Sequence, residues 1–166
     1  NPGGVLDGAV EIADYILPVC MTEYAAGGQE TMIVYTEDKN GEGEQYRASD
    51  GHQLDIPIAI LINEESASAA EVLTGALTDY DRAVSVGTTS YGKGIVQSLI
   101  PLGDGSAIKI TMAHYYTPSG FDLHGKGITP DVEVELDEAL RTQAVVEPQE
   151  DNQVQAAVEE VMEQME

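Results

Sequence analysis

Between Ile56 and Ile62 the chain is apolar without interruption. No other feature restricts the fold as much. The run is far too short to cross a bilayer as a helix, which takes about 20 residues. It suits a strand buried on both faces. From Ser68 to Tyr80, Ala69, Val72, Leu73, Ala76 and Leu77 recur at helical spacing. Ala83 to Val86 then reads as a second short strand. Strand, helix and strand in this order place the chain in the α/β class, and the further strands below give it a mixed sheet.

The remaining elements follow from the same periodicities. Val5 to Leu17 has a helical pattern stopped by Pro18. Val19 to Glu30 is a loop with a Gly27-Gly28 breaker. Thr31 to Thr36 is a β-branched strand, and Asn40-Gly41 signals a hairpin returning near Glu44 to Ala48. Gly87 to Gly94 is a small-residue loop. Ile95 to Pro101 and Ala107 to Thr117 are strands joined through Gly103 to Ser106, and Pro118 to Gly120 is a turn. Val132 to Leu136 alternates apolar and acidic residues, as an edge or half-exposed strand does. The sequence divides into a core over 1–138, an acidic linker over 139–151 and an amphipathic helix over 152–166. The helix stripe is Val154, Ala157, Val158, Val161, Met162 and Met165. It serves as packing surface for this core or for a partner helix, which makes homo-oligomerisation through that helix an open expectation.

The chain has 166 residues, enough for one domain with a core of its own. Its 30 acidic and 7 basic residues leave a formal net charge of −23. Such a surface repels nucleic-acid phosphates and anionic membranes. Cys20 is the only cysteine, so no internal disulfide forms, and it reads as a structural thiol. No apolar run is long enough to span a membrane, and the residues given read without a signal-peptide pattern, which carries little weight in an expected fragment. The chain opens on Asn1-Pro2-Gly3-Gly4, inside what reads as a functional loop, so the expectation is a fragment of a longer protein.

Two short motifs carry chemistry. One is Asn63-Glu64-Glu65-Ser66-Ala67-Ser68-Ala69-Ala70-Glu71, the other Ser90-Tyr91-Gly92-Lys93-Gly94-Ile95-Val96-Gln97. A serine hydroxyl needs a neighbouring base to become a nucleophile. A lysine is a base only when neutral, which calls for burial. Gly92 and Gly94 allow other segments close to Lys93, and no acidic residue lies between Gly87 and Pro101. Ser68 at a helix start would place the Ala69 N–H where an oxyanion develops. Taken singly, a serine before a helix is an ordinary N-cap and a lysine between glycines an ordinary solvated residue. The reading rests on their occurring together.

With these motifs the chain resembles the carboxy-terminal processing (tail-specific) proteases of the S41 serine peptidase family. The resemblance extends through Asn1 to Gly4, Asn63 to Glu71, Gly87 to Gln97, Asp104 to Ala107, Tyr115 to Gly120 and His124 to Val132. It implies a ClpP/crotonase-like spiral of β-β-α units, with a PDZ domain and an upstream strand that this sequence lacks. It implies Ser68 as nucleophile, Lys93 as general base and Gln97 as the residue orienting the lysine. Ala69 N–H and a glycine N–H from Gly3 or Gly4 would form the oxyanion hole, the choice of glycine remaining open. Glu71 and Asp79 match acidic positions in a supporting role. The implied substrates are unfolded or extended polypeptides cut near their C-terminus, without metal or other cofactor. The implied location is extracytoplasmic, in the periplasm or cell envelope.

Three rival readings stand beside this one. Gly87 to Lys93 mimics a phosphate-binding loop, but Gly94 stands where a magnesium-binding Ser or Thr belongs. A Ser-His-Asp triad would draw on His52, His114 or His124, none of which the sequence links to Ser68. Nor do these histidines show ligand spacing for a metal. The third rival is a non-catalytic interaction module.

Overall fold

In a computed structural model, residues 1–19, 30–49, 51–143 and 145–165 are described. Cys20 and most of the loop expected over Val19 to Glu30 lie outside them. The elements run α1 (Leu6–Ile16), β1 (Met32–Glu37), β2 (Gln45–Arg47), β3 (Ala59–Ile62), α2 (Ala69–Thr78), β4 (Val84–Gly87), β5 (Ile95–Pro101), β6 (Ala107–Tyr116), β7 (Val132–Glu133) and α3 (Asn152–Glu163). The class is α/β, and parallel and antiparallel pairs are segregated into two sheets. One has the order β2-β1-β6-β5 and is antiparallel; the other has the order β3-β4-β7 and is parallel.

Local chemistry sets the element ends. Leu17 is extended (φ −84°, ψ 140°), as a residue before proline must be, and this stops α1. The β1–β2 turn is closed by Asp38, whose Oδ1 accepts from Asn40 N–H and Glu42 N–H. α3 is capped by Asp151, whose side chain accepts from Gln153 and Val154 N–H. The core joins α1, β1, α2, β3 and the segment after β6 through Ala13, Leu17, Ile33, Val72, Leu77 and Leu123 among others. α2 packs against α1, β1 and β4, while α3 packs against β3 and β4.

Two expectations are corrected. The run Ile56–Ile62 is a strand only over Ala59–Ile62, and it is not buried on both faces: Ile56 is 53% and Leu61 45% exposed. β3 lies at the edge of its sheet with β4 on one side, so an apolar run need not mean a central strand. The strand expected over Val132 to Leu136 ends after Glu133. Beyond it, Gln153 donates to Val134 O (2.7 Å) and Asn152 to Glu135 O (2.8 Å). Side chains of the first turn of α3 thus take the carbonyls that a neighbouring strand would have used.

The β5–β6 hairpin extends past β1, which pairs with β6 only at His114, Tyr115 and Tyr116. Ile100 faces Ile108 across the hairpin and Ser98 faces Ile110. Cross-strand partners share a face. Ile100, Ile108 and Ile110 therefore form an exposed apolar stripe, with Gln97 and Thr111 on the opposite face.

β4 is tied to the segment leading into β7 by Asp131, whose Oδ2 accepts from the N–H (2.8 Å) and hydroxyl (2.7 Å) of Ser85. Ser85 is buried, so removal of the carboxylate strands two donors. Asp131→Ala should lower stability by about 2 kcal/mol in urea unfolding, whereas Asp131→Asn, which keeps one acceptor, should lose less.

Candidate active site

The two motif loops both leave the carboxyl ends of parallel strands, β3 and β4, where open α/β sheets present ligand sites. After β3, the Asn63 to Ser68 loop is held on itself: Ser66 Oγ accepts from Asn63 N–H (3.1 Å), and Ser66 N–H donates to Asn63 O (2.8 Å). Ser66 is buried in this role. Ser68 precedes α2 with φ 59° and ψ −121°, a backbone conformation that L-residues rarely adopt. Such strain costs on the order of 1–3 kcal/mol and concentrates at functional positions. The Ser68 residue is half-buried.

Glu71 joins the two motifs. It is fully buried on the first turn of α2, and its carboxylate accepts four hydrogen bonds. Oε2 accepts from the backbone N–H of Ser68 (2.9 Å) and of Lys93 (2.8 Å). Oε1 accepts from Ser90 Oγ (2.5 Å) and Gly92 N–H (2.6 Å). One oxygen thus fixes the backbone of the nucleophile candidate against that of the base candidate. Sequence reasoning gave Glu71 only a supporting role and did not identify Ser90. Ser90 is buried, and its hydroxyl also accepts from Ile128 N–H (2.7 Å).

Lys93 itself is exposed, which corrects the expectation of a buried amine. Gly92 and Gly94 are buried on either side, so the backbone is enclosed while the side chain projects outward. Among the described residues Lys93 forms no ion pair. Gln97, on β5, donates from Nε2 to Thr111 Oγ1 (3.3 Å) rather than to Lys93.

The N-terminal segment lies against Ser68. Asn1 O accepts from Ala67 N–H (3.1 Å). Gly3 has φ +87°, and a Cβ there would stand 2.4 Å from Ala67 O and 2.9 Å from both Ala69 N and Ser68 Cβ. Only glycine fits. Its own N–H is occupied by Asn1 Oδ1 (2.9 Å), whereas a Cβ at Gly4 would meet nothing within 4 Å. Asp79, at the far end of α2, accepts from Ser119 N–H (2.7 Å) and anchors the 117–120 turn.

The rival sites lack the contacts they need. In the phosphate-loop mimic, Gly92 and Lys93 N–H are spent on Glu71, Ser90 N–H on Ile128 O and Tyr91 N–H on Ser66 O. These four amides of the loop are therefore not free to hold a phosphate. His52 stacks on Tyr15 (5.2 Å), and His114 contacts Asp122 (Nδ1 to Oδ2, 3.4 Å) and His124 (5.0 Å between ring centres). Neither His114 nor His124 hydrogen-bonds to Ser68. Among the described residues no group of three His, Cys, Asp or Glu side chains is arranged to hold a metal ion.

Comparison with known proteins identifies the family. The model of peptidase family S41 matches residues 1–134. A carboxyl-terminal-processing protease of Synechocystis is 40% identical over 96% of this chain and 34% of its own length. The chloroplastic carboxyl-terminal-processing peptidase 3 of Arabidopsis thaliana is 40% identical over 80% of this chain and 24% of its own. Among solved structures, a photosystem II D1 C-terminal processing protease superposes with a TM-score of 0.71 at 32% identity, over 81% of this chain and 32% of that one. The chain belongs to peptidase family S41. It spans about a third of the length of the Synechocystis relative.

Glu71→Gln puts an NH2 group opposite two present donors whichever way the amide turns: the Ser68 and Lys93 N–H groups, or the Ser90 hydroxyl and the Gly92 N–H. A loss of about 3 kcal/mol in unfolding free energy is expected. Ser90→Ala, which removes only one donor and leaves the Ile128 N–H unpaired, should cost about 1–2 kcal/mol on the same measurement.

Proposed function

We propose that the protein is a serine endopeptidase that cleaves extended polypeptides near their C-terminus through Ser68 and Lys93. The observation that carries this reading is the single Glu71 oxygen bonded to the backbone of both residues. Family membership supplies the reaction class, and the names of the relatives supply the preference for C-terminal processing.

In this reading Lys93 Nζ removes the Ser68 hydroxyl proton as Oγ attacks the peptide carbonyl carbon. Ala69 N–H, at the start of α2, and Gly4 N–H stabilise the resulting oxyanion. Gly4 is favoured over Gly3 because the Gly3 N–H is already bound by Asn1. The intermediate collapses, the C–N bond breaks, and Lys93 returns its proton to the leaving amine. Water then gives a proton to Lys93 and attacks the ester, and Ser68 recovers its hydroxyl proton as the acid product leaves. The exposed Lys93 needs no cofactor in this scheme. A substrate chain lying across it excludes water and favours the neutral amine. Gln97 lies four residues downstream on β5 and becomes the orienting residue if it exchanges Thr111 for Lys93. The location proposed from the relatives is extracytoplasmic. No helix among the described residues is long and apolar enough to cross a membrane.

Lys93→Ala and Ser68→Ala should each reduce cleavage of an unstructured protein at least about 1,000-fold while leaving the fold intact by circular dichroism. Near-normal cleavage by Lys93→Ala would remove it as the base and return a histidine to consideration. For wild type, kcat/KM should rise between about pH 6 and pH 10, because only the neutral amine accepts the proton. Gln97→Ala should lower kcat with KM nearly unchanged.

A further inference from the structure

The two glycines flanking Lys93 are gripped by different segments. Gly92 O accepts from Gly125 N–H (2.9 Å), in the 122–127 turn. Gly94 O accepts from Tyr115 N–H on β6 (2.9 Å). Gly94 also lies so close to that turn that a Cβ would stand 2.5 Å from His124 N and 2.7 Å from Leu123 Cβ. The two gripping segments are joined by Asp122. One of its oxygens meets His114 Nδ1 on β6 (3.4 Å), and the other accepts from His124 N–H (3.0 Å). The His114 and His124 rings meet edge to face.

We propose that Asp122 is a positioning residue for the Lys93 strap, acting through His114 and His124, and that His114 makes this grip depend on pH. The proposal rests on the reading of Lys93 as the base, but its geometry stands independently of that reading. The sign follows from the groups around His114. Asp122 and His124 face it from the turn, and Glu37 lies opposite on β1. Asp38 and Lys39 line the same hollow, and Lys126 acts on Asp122 from the turn. Burial alone would raise the Asp122 carboxyl. The hydrogen bonds from His124 and His114 and the nearby positive charges outweigh this and hold it below the usual carboxylate range. His114 therefore faces the carboxylate form of Asp122. Protonated His114 makes a charge-assisted contact with it, and neutral His114 keeps at most an ordinary hydrogen bond. Protonation of His114 tightens the grip, and loss of that proton loosens it.

Two measurements test this. In nuclear magnetic resonance of the labelled chain, titrated from about pH 5.5 to pH 8.5, the Lys93 and Gly94 amide shifts should follow the His114 imidazole with one midpoint. In Asp122→Asn that coupling should vanish while the His52 titration stays where it was. Amides that do not titrate in wild type, or that titrate identically in Asp122→Asn, overturn the proposal. In peptide cleavage, His114→Arg supplies a permanent charge. Its kcat should match wild type near pH 6 and exceed it about threefold near pH 9, with KM unchanged. A ratio that stays flat with pH also overturns it, because a purely structural role shifts activity by one factor at every pH. Cleavage retained by Lys93→Ala would sink the base assignment and leave the amide coupling to be judged by itself.

Discussion

The Glu71 carboxylate is the interaction on which the site depends. It sits fully buried at the third position of α2, where the free amides of a helix start and the helix dipole favour negative charge. Its four donors come from the start of α2 and from the loop after β4. A carboxylate so placed is costly unless every acceptor position is used. The arrangement uses them to hold two loops from two strands in one register. It also holds Ser68 in a backbone conformation that the residue would not adopt unaided.

Glycines make the second constraint, through close approach. A Cβ at Gly127 would stand 2.2 Å from Ser90 O, and one at Gly92 would stand 2.8 Å from Gly127 N. The loop that carries Lys93 and the turn over 122–127 therefore touch backbone to backbone. This explains why sequence blocks far apart in the chain are each rich in small residues. The parallel sheet delivers the two loops, and the antiparallel sheet delivers β5 and β6, which run on from them.

Much of this was legible in the sequence because it is local. Helical periods located α1 and α2, Asn40-Gly41 located the β1–β2 turn, and the two motif loops fell between the elements expected to flank them, β3 and α2 for one and β4 and β5 for the other. Reading failed where the outcome depended on neighbours. Ile56–Ile62 looks the same in sequence whether the strand it forms is central or at an edge. The early end of β7 required knowing that Asn152 and Gln153 would be folded beside Val134 and Glu135. Ser90 carried no distinguishing signal among the small residues of its loop. The pairing of His114 with Asp122 joins a strand to a turn that no local pattern connects.

The sequence by itself determined the class of fold, the blocks that place the chain in family S41 and the identity of the candidate reactive side chains. The class of fold and the Ser68–Lys93 pair follow from residue type and spacing along one chain, whereas the role of Gln97 and the choice of Ser68 over Ser66 come from the resemblance to the family. Tertiary structure alone decided that one Glu71 oxygen binds Ser68 and Lys93 together, that the Gly3 N–H is already taken, and that Lys93 stands exposed with Gln97 turned towards Thr111. Each of these is a contact or an exposure between segments distant in the chain or a choice among competing partners. Such outcomes are fixed by which backbones pack against each other, and spacing in a sequence does not encode that distance.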